Sequence, residues 1–159
     1  MKKEAKTNAL RILDTLKIGY QTYSYDGSEF IDGKHVATAI NKDYNQVFKT
    51  LVGVNNHNYY VFVIGVDKEL DFKKCARVPK EKAIELVPIN DLLKISGYVR
   101  GGCSFIGMKK NFQTYIDEEV ILLDKIVFSA GRVGLQVEIN VEDLNKLDYV
   151  NIVAISKDH

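Results

Sequence analysis

Three stretches of this chain carry residue types and spacings that could do chemistry. The first is Gly97-Tyr98-Val99-Arg100-Gly101-Gly102-Cys103-Ser104-Phe105-Ile106-Gly107, with four glycines in eleven residues. Glycine costs about 1 kcal/mol per helical position relative to alanine, so this stretch is a loop. Such a loop serves either as a tight turn or to let a ligand or another backbone come close. Its consecutive N–H groups can form a concave nest for an anion or a developing oxyanion. Met108 follows the last glycine, which excludes the phosphate loop G-x-x-x-x-G-K-[ST], and the spacing is not G-x-G-x-x-G either. The second stretch is Val47-Phe48-Lys49-Thr50-Leu51-Val52. Lysine is rarely buried without a partner, so Lys49 points either out of its strand or into a polar pocket. In a pocket its ammonium can polarise a carbonyl, stabilise an oxyanion or bind phosphate. The third, Ser129-Ala130-Gly131-Arg132, ends a strand in a second glycine turn that either lines a site or only reverses the chain.

Other chemistry is weaker. Cys103 in the glycine loop is either a nucleophile beside N–H donors or a small buried apolar residue. His35, His57 and His159 are far apart, no cysteine pair has zinc-finger spacing and H-E-x-x-H is absent, so no metal site is expected. Lys73, Lys74, Arg77, Lys80 and Lys82, with Lys109 and Lys110, either contact an RNA backbone or form a solvated face, diluted by Glu81 and Glu85.

The elements that must position these residues follow from periodicity. Residues 7–17 predict a helix capped by Thr7 or Asn8, with Leu10, Ile12, Leu13 and Leu16 as its apolar stripe and Gly19 as its end. Tyr20 to Tyr25 alternates as a strand, Asp26-Gly27-Ser28 is a turn, and Asp32 to Asn41 is a short helix. Val47–Val54 and Tyr59–Val66 form a hairpin around Asn55-Asn56-His57-Asn58. Asp71 caps a helix through Val78; Ala83–Val87 is a strand; Pro88 opens a helix to Ile95. Thr114–Asp117 and Lys125–Ser129 are strands around a helical turn at Glu118–Leu122. Leu135–Ile139 follows the second glycine turn. Asn140 caps a last helix through Leu147, with Asp143 completing a capping box, and Tyr149–Ile155 adds an edge strand. Helices and strands intermix, which predicts an α/β (α+β) fold with a mixed sheet, in one domain spanning residues 1–159.

Composition sets the bounds. Twenty-two basic against 21 acidic residues leave a formal charge of +1, which argues against wrapping nucleic acid by global electrostatics. Two cysteines are too few for a disulfide framework, and no long apolar run marks a signal peptide or membrane span. A cytoplasmic protein with no membrane partner is the expectation.

Taken together, Phe48-Lys49-Thr50-Leu51, the glycine loop with Met108-Lys109-Lys110, Ile116-Asp117-Glu118 and Ser129-Ala130-Gly131-Arg132-Val133-Gly134-Leu135 occur in an order and spacing that resembles one family. Lys6-Thr7-Asn8-Ala9 before the first helix fits as well. It is the YbaK/EbsC family of freestanding aminoacyl-tRNA deacylases, related to the editing domain of bacterial prolyl-tRNA synthetase. The resemblance covers nearly the whole chain. It implies a strongly curled or barrel-like mixed sheet and hydrolysis of the ester joining a wrong amino acid to tRNA. No cofactor is implied. The partners implied are mischarged tRNA(Pro) and, for delivery, prolyl-tRNA synthetase, with no role for DNA.

Carried over by position, the resemblance gives Lys49, Gly101 and Gly102 as catalytic. Tyr23, Phe30, Thr50, Ser104, Ser129 and Arg132 fall to substrate binding. Phe105 stands where the family loop G-G-x-S-P-x-G has proline, which predicts a looser loop, a restored N–H donor or an aromatic ring reshaping the pocket. For a cysteinyl ester the substrate's own thiol can attack its carbonyl; for an alanyl ester a bound water must. Two other readings stay open: a non-catalytic module holding an amino acid or the tRNA 3′ end, and a hydrolase of another small ester or amide using Cys103.

Overall fold

The computed structural model describes residues 5–27 and 32–158. Phe30 and Ser28 therefore lie outside the described residues. In chain order the elements are α1 (Asn8–Thr15), β1 (Tyr20–Ser24), α2 (Gly33–Ala39), β2 (Phe48–Asn55), β3 (Asn58–Gly65), α3 (Phe72–Arg77), β4 (Glu85–Leu86), α4 (Ile89–Ser96), β5 (Thr114–Asp117), β6 (Lys125–Arg132), β7 (Leu135–Asn140) and β8 (Val150–Val153). Short 3-10 helices occupy Tyr44–Gln46, Glu118–Leu122 and Val141–Lys146.

The strands build two sheets. One has three strands in the order β1-β7-β6, the other five in the order β4-β2-β3-β5-β8. The β3–β5 and β5–β8 pairs are parallel and the remaining strand pairs antiparallel, so the expected mixed character is present. The expected barrel-like closure is not: among the described residues the two sheets are hydrogen-bonded to each other at the parallel bridge Val47–Val127 and do not merge into one ladder. Three apolar clusters hold the layers. The largest packs α1 and the glycine loop against β6, β7 and one side of β2, β3 and β5. Another seats Cys75 and Ala76 of α3 on Phe62, Ile64 and Tyr115, on the far side of the five-stranded sheet. A third seats Ala37 and Ile40 on Val47, Val66 and Val127, which places α2 beside the junction of the sheets.

Local sequence explains most element ends. The Thr7 hydroxyl accepts the Leu10 N–H at 3.2 Å, and Asp71 accepts the N–H groups of Lys73 and Lys74, as their cap positions require. The hairpin turn is tighter than expected. Asn55 pairs with Asn58, leaving Asn56 and His57, both at positive φ, as a two-residue turn of the hand that matches strand twist. The first helix ends at Thr15, short of Gly19, and the chain turns off it through Lys17 at φ +58°. The Ala83–Val87 strand shortens to β4 because only Gly53 and Val54 of β2 pair with it. The last helix is a 3-10 turn with no side-chain cap from Asn140, and Asp143 pairs with Lys146 at 3.3 Å instead of closing a capping box.

The glycine loop is held by the stretches that resemble the family. Asn8 donates to the Gly107 carbonyl at 3.1 Å, and Thr7 donates to the Ala130 carbonyl, so the start of α1 ties the loop to the end of β6. A Cβ on Gly102 would sit 2.9–3.1 Å from the backbone of Arg132 and Val133, so only glycine lets the loop lie on the β6–β7 turn. Phe105 is buried and packs against Phe128 with ring centres 4.5 Å apart and planes tilted by 41°, and its carbonyl accepts from the Tyr149 hydroxyl. It therefore anchors the loop from beneath, against the expected loosening, and among the described residues its ring lies in the core and not in the cleft lining, against the expected reshaping of the pocket. Phe105→Ala should cost about 3–5 kcal/mol of stability by the lost burial and the cavity left behind. Urea denaturation measures this, and a loss under 1 kcal/mol would mean that the ring does not anchor the loop.

Candidate active site

The bridge between the sheets sets the site. Two residues beyond Val47 on β2 is Lys49, and two beyond Val127 on β6 is Ser129. The strands run parallel at the bridge and then part, leaving a cleft of about 420 Å³ between them. Such a volume suits a small-molecule ligand. Lys49, Thr50 and Ser129 line it, with Gly101 and Cys103 from the glycine loop and Gln136 from β7. Asp32 and Gly33 at the start of α2 form another wall, and Leu86, Ile89 and Leu92 give it an apolar flank.

The first half of β2 is an open sheet edge here. The Val87 N–H donates to the Val52 carbonyl, so Val52 directs its backbone groups away from β3. Residues two apart in an antiparallel strand point the same way. The N–H and C=O of Thr50 therefore face the cleft side. The Thr50 hydroxyl is buried with no hydrogen-bond partner. Buried hydroxyls are nearly always paired, so an orphan in a cleft wall marks a place where a ligand completes the bonding.

Lys49 is half-buried and, among the described residues, makes no hydrogen bond or ion pair. Burial holds its pKa below the usual lysine value, the carboxylates of Glu69, Asp32 and Asp67 pull it back up, and Lys34 adds a further downward push. The result is an unpaired, partly desolvated ammonium among carboxylates that are not in contact with it. Gly101 holds φ +86°, a conformation that favours glycine, and exposes its backbone at the cleft.

The remaining residues expected at the site are elsewhere. The Gly102 N–H donates to the Val99 carbonyl at 3.0 Å, so it closes the loop's own turn and is not directed at a ligand. Ser104 is fully buried, and its hydroxyl accepts the Ile106 N–H. The Arg132 guanidinium donates to the Ala5 carbonyl at 3.1 Å, which fixes the N-terminal segment. The Tyr23 hydroxyl donates to Glu138 at 3.2 Å while the Lys42 ammonium lies 4.8 Å from its ring centre, so Tyr23 belongs to a polar cluster behind the cleft wall. Sequence reading missed Asp32, Gln136 and the flank from Leu86 to Leu92. Only the strand register pairing Ser129 with Gln136 could have found Gln136.

Cys103 reaches the cleft, but burial pushes its thiol up to about 12. A thiol held protonated is a poor nucleophile. Asp32 accepts the His35 N–H at 2.9 Å as the cap of α2, and that bond holds its carboxyl below the usual range. Neither residue is set up as nucleophile or base. What the cleft offers is a cation, an orphan hydroxyl and exposed backbone groups.

Comparisons with known proteins identify the family. Residues 32–147 match the model of the aminoacyl-tRNA editing domain family. A relative from Enterococcus faecalis (strain ATCC 700802 / V583), named "Putative Cys-tRNA(Pro)/Cys-tRNA(Cys) deacylase EbsC", is 40% identical over 148 residues, covering 92% of this chain and 90% of its own. Among solved structures, one titled as a "putative trans-editing enzyme for prolyl tRNA synthetase" superposes with a TM-score of 0.84 at 19% identity, covering 98% of this chain and all (100%) of its own. Another, titled "hypothetical protein APE2540", gives 0.85 at 16% identity over 95% of this chain and 100% of its own. At those identities the two structures speak for the fold alone. The chain belongs to the aminoacyl-tRNA editing domain family, the deacylases that its motifs resemble.

Proposed function

We propose that this chain, as one editing domain, hydrolyses mischarged tRNA(Pro) in trans, with cysteinyl-tRNA(Pro) as its preferred substrate. The observation that carries the reading is the cleft at the parting of β2 and β6, lined by the half-buried Lys49 and by Thr50, whose hydroxyl has no hydrogen-bond partner. The relative whose name includes Cys-tRNA(Pro) supports the choice of amino acid. No described helix is long and apolar enough to cross a membrane, in keeping with a cytoplasmic role. Prolyl-tRNA synthetase is the partner that would hand over the substrate.

In this reading Lys49 and the Gly101 N–H stabilise negative charge on the ester carbonyl oxygen. Removing one such donor typically costs about 2.7–4 kcal/mol of transition-state stabilisation. The Thr50 hydroxyl and its edge backbone groups hold the amino acid. The substrate thiol attacks its own carbonyl carbon, forming the C–S bond of a thiolactone. The C–O bond to the terminal ribose breaks, and the thiol proton ends on the departing hydroxyl. Water then opens the thiolactone to free cysteine. The protein supplies orientation, which for well-aligned intramolecular reactions is worth several kcal/mol, on the order of 7–11 at best.

Deacylation of separately prepared cysteinyl-, alanyl- and seryl-tRNA(Pro) tests the reading. Cysteine should leave fast, and the seryl ester, with oxygen in place of sulfur, should resist. Preference for the alanyl ester would overturn the thiol route, and no release of any of them would overturn the deacylase reading itself.

Lys49→Met should lower the rate on the order of 10²-fold while raising Tm by a few degrees, because it removes a desolvated charge that no ion pair offsets. A parallel fall in rate and Tm would make Lys49 a structural residue. Thr50→Val keeps shape and removes an unpartnered buried hydroxyl, so it should stabilise the fold by about 1 kcal/mol and raise KM. Denaturant titration and steady-state kinetics read the two effects, and unchanged KM would remove Thr50 from the binding role.

The pH dependence follows from the direction of the Lys49 shift. Its folded pKa is below the ordinary 10.5, so between that lowered value and 10.5 the unfolded chain binds more protons than the folded one. Stability from this group therefore rises with pH through that window. The rate falls as pH climbs through the lowered value, because the ammonium is lost. A kcat/KM profile with its alkaline limb at or above 10.5 would contradict the role given to Lys49.

A further inference from the structure

We propose that a second cleft, across α4 from the first, binds unpaired bases of the same tRNA acceptor strand. The inference rests on the editing reading of the first cleft. The second cleft has a volume of about 430 Å³ and is lined by His57, Tyr59, Ile95, Lys110 and Phe112, with Asn58 and Tyr60 at its border. Its floor is aromatic. Tyr59 and Phe112 meet edge to face, ring centres 5.8 Å apart, each packed below on the main core and partly open above. Its rim is basic: Lys110 is exposed and, among the described residues, makes no ion pair, and His57 stands exposed at the hairpin tip. The nearby acid, Glu81, accepts from Asn55, Asn58 and Tyr60, so its charge is engaged by donors. Aromatic faces flanked by cations are how single-stranded nucleic acid is held, with bases stacking and phosphates near the lysines.

The ridge between the clefts fits the same ligand. Ile89 and Leu92 of α4 line the first cleft and Ile95 lines the second. Six residues along a helix span about 9 Å, a distance that a short single-stranded tail covers. Along that ridge Ile89 is 59% and Leu93 54% exposed, and the exposed Lys94 follows them. An apolar track with lysines beside it, running out of a cleft that takes the esterified end, suits RNA bases better than a protein chain of unspecified charge. Recognition of RNA generally targets such unpaired ends. This local track also answers the near-neutral net charge, since the contacts need only a few cations.

The test uses Phe112→Leu and Lys110→Gln, with the full chain, on two substrates: cysteinyl-tRNA(Pro) and the cysteinyl ester of adenosine alone. Phe112→Leu keeps an apolar side chain on the core, and circular dichroism checks its fold. The ratio of kcat/KM for the tRNA ester over the adenosine ester should fall about tenfold in each variant. Binding of an eight-nucleotide single-stranded RNA ending in CCA, followed by fluorescence anisotropy, should weaken similarly. Its log–log salt slope should drop by about one in Lys110→Gln. An unchanged ratio with unchanged RNA binding overturns the proposal. So does an equal loss on both substrates, which would make these residues supports of the first cleft, or self-association of the chain that Phe112→Leu abolishes. If the wild-type chain hydrolyses neither ester, the reading of the first cleft fails, and RNA affinity that depends on Lys110 and Phe112 still decides the second.

Discussion

The cleft exists because β2 and β6 meet once and then part. Had the strands continued to pair beyond Val47 and Val127, the two sheets would merge and the edge backbone of Thr50 would be consumed in a ladder. The parting is enforced from both sides. β4 covers only the far half of β2, at Gly53 and Val54. On β6 the register shifts between Ser129 and Arg132, a bulge that turns the strand into the glycine turn. The glycine loop then closes the cleft by lying on that turn, which needs a residue without a side chain at Gly102. One bridge, one bulge and one close approach of backbone thus determine where Lys49, Ser129 and Gly101 face each other.

Against that frame the distribution of polar satisfaction is informative. Elsewhere the fold pairs its buried charges. Glu138, 5% exposed, accepts from Lys42 at 3.1 Å and Tyr23 at 3.2 Å. Asp117 accepts two backbone N–H groups, from Ile155 and Ser156, and the Ser156 hydroxyl. Among the described residues the exceptions include the Thr50 hydroxyl, the Lys49 ammonium and one oxygen of Asp67, a group whose charge also acts on Lys49. A fold that satisfies Glu138 and Asp117 but leaves these groups open holds them against its own stability, and that contrast supports the functional role proposed for Lys49 and Thr50.

The legibility of the sequence divides along the same line. Among the described residues, period-2 and period-3.6 patterns give the four α-helices and every strand, because those signals are local: Asp71 caps α3, and Val, Phe and Tyr alternate through the hairpin; the 3-10 turn at Tyr44–Gln46 was not read. The separation into two sheets was not readable, since it depends on one long-range bridge that no local pattern encodes. At the site, Lys49 was legible as a charge in an apolar run. Gly102, Ser104 and Arg132 were read as site residues because they share motifs with it, whereas their hydrogen bonds hold the loop and the N-terminal segment. Motif membership does not separate residues that touch a ligand from residues that hold those that do. Gln136 and the α4 flank were invisible because ordinary buried or apolar residues look alike until the register brings them to one wall.

The cleft also constrains where a nucleophile can come from. Burial pushes the Cys103 thiol up to about 12, which disfavours the thiolate needed for attack. The Asp32 carboxyl is held low by the backbone N–H it caps, which makes it a weak base. His35 stands exposed beside it, its ring nitrogen 2.8 Å from the same carboxylate, and His57 belongs to the second cleft. Among the described residues this leaves no group activated to attack or to take the proton, while the positive charge needed to stabilise an oxyanion is present at Lys49. The proposed reaction fits this composition, because its nucleophile arrives with the substrate. In the proposed reaction a cysteinyl ester carries its thiol already beside the carbonyl, whereas an alanyl ester would need a bound water.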